Sequence, residues 1–542
     1  GRLDPPGSAA WLADELTGWS STVRAGALWA IAVNDLPWPD AASDALAQCW
    51  MDGEPLKGWI WADDPFGDIA ARLDVASFAA LAGPLLDRGS ADSARTAVDA
   101  AYQRCVRSRS ARAEVAPLLA KGIGHADLGV RVAAATAIRD VRAAAVETAG
   151  ALAALVAEPP ADADSLEARV FDAALETLIG LGDPRWREPF IAALVAGVAT
   201  TDALNLLIDT GVPADAELLA AVRRRLAAIP LEEPAESAGY DAYLGRMRRH
   251  NEVNGLTRLL HRWGPGAAEA VPELVRFVPH DTWWAVRALA AIGPAASAAV
   301  PALTLTRDDP GASWRRRLDC AGAVAAITGD TARLTACIAD AATADPVMAD
   351  PVMAARAAVD HDLPLDDVLP ALRALADAAT GDDPSAIRPR LEAARLLLRT
   401  GDKAPALQAA ADALDRGRLT TDAIELAGLA GPDAAPLLPR LRKLLGERHA
   451  DTAAALAIRR ITGDPAPLLD AVRRNLPYLG AGSWLIRSLR ELGADAAPLV
   501  PELRELVDGD AAIRGIGTYG RQVREDEDER RELLDILPGL TP

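Results

Sequence analysis

Two short stretches, Asp281-Thr282-Trp283-Trp284-Ala285-Val286-Arg287 and Trp314-Arg315-Arg316-Arg317, hold the chain's densest gathering of groups able to recognise another molecule. Indole rings and guanidiniums dominate binding hot spots, and they also stack on planar ligands or bases. Trp283, Trp284, Arg287, Trp314, Arg315 and Arg316 are therefore the candidate binding residues. The competing structural account makes one Trp of the pair core filler and the other a cover over a groove between helices. His250, His261 and His280 lie close in sequence but show neither an i, i+4 pair nor HExxH spacing, so no metal site is expected. Cys320 and Cys337 fall on small-residue helical faces and read as buried small hydrophobes. Glu232, Glu233 and Glu236 sit in a Pro-bounded loop where nothing would shift a carboxyl pKa, so no catalytic role is assigned to them. The chain shows no P-loop, no dinucleotide fingerprint and no GxSxG elbow, and no cofactor is expected.

Charge narrows the field of partners. The 542 residues carry a formal charge of −20 with a sequence pI of about 4.8. That balance disfavours the phosphate attraction behind most nucleic-acid affinity and favours a basic protein partner. The clusters Arg223-Arg224-Arg225 and Arg246-Met247-Arg248-Arg249-His250 flank the acidic loop and are expected to be neutralised by Glu232, Glu233, Glu236 and Asp241, or else to form a local anion site. Four cysteines without a CxxC pair suit a reducing cytosol. No run of about 18 residues has the unbroken apolar character of a membrane span, and no basic-then-apolar leader follows Gly1. The expected location is cytoplasmic.

These groups must be positioned by short helices, because the chain repeats. Gly431-Pro432-Asp433-Ala434-Ala435-Pro436-Leu437-Leu438-Pro439 is echoed by Gly493-Ala494-Asp495-Ala496-Ala497-Pro498-Leu499-Val500-Pro501, and Thr400-Gly401-Asp402 by Thr462-Gly463-Asp464, both at a 62-residue offset. The junctions interleave at steps of 30 and 32 residues, one helical hairpin each. Half the residues are hydrophobic, mostly Ala and Leu, and aromatics make up 4%, which suits thin, closely packed helices over a β core. Ala423, Leu426, Ala427 and Ala430 mark one apolar face and Leu485, Ser488, Leu489 and Leu492 another. In the next helix Leu437, Leu441, Leu444 and Leu445 form the buried stripe, with Gly446 as C-cap. Prolines such as Pro272 and Pro301 act as helix start signals. Helices of about three turns are unstable alone and must stack.

Gly264-Pro265 with Val271-Pro272-Glu273-Leu274, Gly293-Pro294 with Val300-Pro301-Ala302-Leu303, and Asp127-x-x-Val130-Arg131 before Ala133-Ala134-Ala135-x-Ala137-Ile138 resemble bacterial HEAT or HEAT-like (PBS-lyase-type) repeats. The resemblance covers about 113–508 and implies an all-α class: an α-solenoid of stacked two-helix repeats, right-handed by analogy, with a concave surface that binds a protein. It also implies that Arg131 and Arg287, at equivalent positions, bridge neighbouring repeats through an Asp. Residues 1–112, with Trp11, Trp19, Trp29, Trp38, Trp50, Trp59 and Trp61, read as an N-terminal cap or subdomain, and 509–542 as a charged capping helix or tail whose run from Arg521 to Asp535 is solvated. The leading functional expectation is a non-catalytic scaffold. One alternative is an enzyme with its site in the solenoid groove, where Asp281, Trp283 and Trp284 resemble in residue type the Trp and Asp that HEAT-like DNA glycosylases use to hold a base. Another is a small-molecule binder or natural-product tailoring protein with an apolar pocket beneath the Trp-rich N-terminus.

Overall fold

The computed structural model describes residues 8–18, 20–34, 36–51, 69, 73–198, 201–231, 240–280, 282–343, 350–378, 384–447, 449–479, 483–512 and 521–540. Among these the regular structure is helical, with no strand and one isolated bridge between Ser108 and Ala511. The chain divides into two compact units, Gly1–Leu206 with Glu502–Leu534, and Leu207–Pro501 with Asp535–Pro542.

In the second unit a layer of first helices runs Tyr240–Trp263, Trp283–Ile292, Trp314–Thr328, Pro351–Asp360, Pro384–Arg399, Thr420–Ala430, Asp451–Thr462 and Ser483–Leu492, each packed on the next. The intervening segments form the second layer. The expected apolar faces are buried: Ala423, Leu426, Ala427 and Ala430 in one helix, Leu485, Ser488, Leu489 and Leu492 in another. Fully buried alanines such as Ala288, Ala393, Ala394 and Ala454 let adjacent helices approach closely where bulkier side chains would hold them apart.

The Gly-Pro phrase departs from the expected turn and immediate α-helix. Gly293 and Gly431 adopt φ 71° ψ −141° and φ 65° ψ −141°, a region open essentially to glycine alone, and end the first helix abruptly. Seven residues of 3-10 helix follow, Gly293–Ala299 and Gly431–Leu437, before the α-helices Val300–Asp308 and Leu438–Lys443 begin with their prolines in the first turn. Leu437 and Leu441 are buried, whereas Leu444 and Leu445 are half-buried because the helix stops at Lys443. Trp283–Asp308 is long and apolar enough to match a membrane span in composition, but Gly293 breaks it into two elements.

Ion pairs bridge successive repeats at positions other than the expected ones. Arg356 reaches Glu392 at 3.1 Å, Arg395 reaches Glu425 at 2.7 Å and Arg460 reaches Glu491 at 2.8 Å, all between neighbouring first helices. Arg131 and Arg287 join no ion pair among the described residues; Arg287 lies over indole rings, and Arg131 Nε is buried without a hydrogen bond.

The first unit contains Val75–Arg88, Ala91–Arg107, Ala111–Ile123, Leu128–Asp140 and Leu166–Leu181, packed in succession, and most of the charged helix Gln522–Ile536. That helix is not simply solvated. Asp526 is 2% exposed and accepts from Arg109 Nε and Nη2 and from Arg112 Nη2, while Asp140, 1% exposed, accepts from the backbone N–H groups of Val523 and Arg524 and from Tyr102 Oη. Arg109 Nη1 also donates to the carbonyls of Leu506, Val507 and Gly509. Buried charges demand partners of opposite sign, and the alternating charges of the C-terminal run supply them. Trp11 is exposed and Trp29 and Trp38 are half-buried, whereas Trp19, Trp59, Trp61 and the side chain of Trp50 lie outside the described residues.

Candidate functional site

Trp283 and Trp284 open a helix, where successive side chains diverge by about 100°. Trp284 therefore turns to the preceding helix, where the Arg258 guanidinium sits 5.4 Å from its ring centroid and His261 packs at 5.4 Å between centroids. Trp283 turns to the following helix and meets Arg315 at 4.8 Å. Arg287, four residues from one Trp and three from the other, covers both rings, at 4.4 Å from Trp283 and 5.8 Å from Trp284. The two indoles are 4.7 Å apart at 37°. His261 Nδ1 lies 3.2 Å from the Arg287 carbonyl and ties the two helices together.

Of the six candidate residues, the structure gathers Trp283, Trp284, Arg287 and Arg315. Trp314 instead packs on the core of its own repeats with Arg317 4.0 Å from its centroid, and Arg316 donates to the Val278 carbonyl at 2.8 Å, a structural bond across the preceding repeat. Asp281 lies outside the described residues, as do Glu232, Glu233 and Glu236. In the first basic cluster beside that loop, Arg223 pairs with Glu269 and Glu273, and Arg225 makes two hydrogen bonds to Glu252.

Trp283, Arg287 and Arg315 border a cavity of about 760 Å³ completed by residues of the next repeat, among them Gly322, Arg356 and His361. The floor is small and apolar: Val286, Ala290, Ala323 and Ala357. Gly322 lets His361 approach, since a Cβ in its place would stand 2.5 Å from His361 Nε2 and the ring would have to move. Trp283 Nε1 is buried and makes no hydrogen bond among the described residues. A second cavity of about 590 Å³ adjoins the first through Met353 and Arg356. Trp484, which begins Ser483–Leu492 much as Trp283 begins its helix, lines a smaller one of about 130 Å³. His361, Arg356 and Gly322 escaped the sequence reading; their signal is repeat phase, since they belong to the next first helices along the layer. The arrangement offers planar stacking surfaces and hydrogen-bond donors, which suits recognition. Burial pushes the Cys105 and Cys320 thiols up to about 12, which makes these two poor nucleophiles.

No family model matches the sequence, and no curated protein matches it. Solved structures do. Yeast importin-beta (Kap95p) is similar at a TM-score of 0.52 and 12% identity, over 98% of this chain and 81% of that one. The Kap95:Nup1 complex gives 0.51 and 12% over the same shares. Kap121p bound to Pho4p gives 0.42 and 12% over 98% and 66%. The chain spans 61% to 66% of the length of the Kap121p chains it matches. At such identity the likeness concerns fold, and the fold is an all-α solenoid of HEAT-like helical repeats.

Proposed function

We propose that the chain is a non-catalytic scaffold that receives a protein partner on the first-helix layer of its second unit, with Trp283 and Trp284 as anchors and Arg287 and Arg315 beside them. The observation that carries this reading is the cavity bordered by an indole whose buried N–H has no acceptor and by guanidiniums held against its ring. A rigid, already assembled face loses little entropy on binding, and Trp and Arg are the residues whose truncation costs most at interfaces. The Kap95:Nup1 complex, a solenoid of similar fold holding another protein, supports the same use of the architecture. The net charge of −20 sets the long-range field and favours a partner that is basic as a whole. Buried, unpaired cysteines favour a reducing compartment, so the partner is sought in the cytosol.

Affinity purification of the tagged chain from cytosol of its source, beside the Trp283→Ala/Trp284→Ala variant, tests the proposal. Loss of a hot-spot pair costs about 2 kcal/mol or more, roughly thirtyfold in affinity. A stoichiometric protein should come down with the parent and be depleted with the variant. Equal recovery by both would remove this face from the binding function.

A further inference from the structure

We infer that the cavity beside Trp283 receives an oxyanion carried by an acidic segment of the partner, a carboxylate or a phosphorylated side chain, although the chain as a whole is strongly acidic. The inference rests on the scaffold reading and specifies what the site selects. Each guanidinium carries five N–H donors and no acceptor. Arg287 and Arg315 lie against the Trp283 ring at 4.4 and 4.8 Å, and neither guanidinium has a carboxylate or carbonyl partner among the described residues. The Trp283 Nε1–H, buried at the same wall, is a further donor without an acceptor. Three donor groups thus gather at one ring, and no described residue accepts from them.

Carboxylates elsewhere on the lining do not fill that role. Arg356, on the next helix, is already engaged by Glu392 at 3.1 Å. Asp319 lies one turn along the helix from Arg315 and has a contact of its own, while Asp360 is exposed at the end of Pro351–Asp360. They moderate the positive field of the cavity, and the Arg287 and Arg315 guanidiniums remain against the Trp283 ring. Guanidiniums match carboxylate and phosphate in a forked, two-bond geometry. At physiological ionic strength, charges more than about 8 Å away are largely screened, so the local arginines outweigh the distant excess of Asp and Glu at contact. The apolar floor of Val286, Ala290, Ala323 and Ala357 fits a neighbouring hydrophobic side chain of the same segment.

Three fluorescein-labelled peptides of about twelve residues, identical except for glutamate, phosphoserine or glutamine at the same positions beside leucines, would be titrated by anisotropy. The intact chain, Arg287→Gln/Arg315→Gln and Trp283→Ala would each be used, with circular dichroism confirming that every variant keeps its helix content. The glutamate or phosphoserine peptide should bind the parent about tenfold or more tighter than the glutamine peptide. The double Gln variant should erase that preference, so that the anionic and glutamine peptides bind it alike. The tighter of the two anionic peptides identifies the source of the oxyanion. Equal binding of glutamate, phosphoserine and glutamine peptides by the parent overturns the oxyanion inference, yet leaves the scaffold site standing provided Trp283→Ala weakens all three. Binding indifferent to Trp283→Ala, or no binding of any peptide, overturns both.

Discussion

Asp526 is the residue whose loss the first unit should feel most. Its carboxylate, 2% exposed, answers Arg109 and Arg112, which are themselves nearly buried. Asp526→Ala would remove the ion pair of Arg109 and leave Arg112 only Glu527 at 3.6 Å, and breaking a buried pair costs about 3–5 kcal/mol. Denaturant unfolding followed by hydrogen exchange at 91–140 should show the loss there first; an unchanged exchange profile would contradict the assignment. Three residues on, Glu529 has its carboxyl pushed up to about 7 from the ordinary 4.5, by burial first and then by the charges of Asp526, Glu525 and Glu532. Because the folded state keeps this proton where the unfolded chain has lost it, stability is full below pH 4.5 and falls as pH rises through about 7. Protection of the C-terminal helix should therefore be greater at pH 5 than at pH 8, and Glu529→Gln should flatten that difference. A parent and variant with identical pH profiles would exclude Glu529 as the source. At the candidate site, Gly322→Ala places a methyl 2.5 Å from His361 Nε2 and should displace that ring, at about 1–3 kcal/mol if the ring cannot swing freely. An unshifted His361 side-chain resonance would contradict the close approach.

At the scale of elements, the Gly-Pro phrase does two things at once: it stops a helix and redirects the chain into the second layer. Gly431 and Gly293 occupy backbone conformations that cost a side-chain-bearing residue about 1–3 kcal/mol, so Gly431→Ala and Gly293→Ala should each lower stability by that amount. Gly428→Ala works differently, by pressing a Cβ to 3.2 Å of the Ala457 backbone, and thermal unfolding of the three variants would compare backbone strain with crowding. The phrase was legible because its glycine and prolines recur with a fixed period, and so were the apolar faces at Ala423 and Leu485, since helical spacing dictates them. The 3-10 conformation of Gly431–Leu437 was not legible, because proline near a helix start suits either helix type. Trp283, Trp284 and Arg287 were read from adjacency within one helix, and Arg315 from its place about one repeat later. The remainder, His361 and Gly322, depends on which faces of successive helices meet, and a repeat period does not encode that register. The inter-repeat salt bridges illustrate the same limit: the sequence suggested Arg131 and Arg287 as rungs, and Arg356, Arg395 and Arg460 are the rungs found.

Over the whole molecule, repetition makes most interactions local and individually modest. Arg395 and Glu425 are each exposed enough that Arg395→Ala should cost under about 1 kcal/mol, visible as a small shift in Tm that shrinks further at high salt. The first unit breaks this locality. Its chain leaves at Leu206 and returns at Glu502, and the returning helix supplies the donors for Asp140 and the acceptor for Arg109 and Arg112. The order of synthesis then runs against the order of completion. Asp140 emerges from the ribosome 383 residues before Val523 does, which at about 5–20 residues per second is a wait of roughly 20–80 s. Throughout that interval the repeats around Asp140 stand with buried-site charges unanswered, open to chaperones and proteases. A stretch made early waits for one made late, and a ribosome stalled before Gln522 would hold it in that unfinished state.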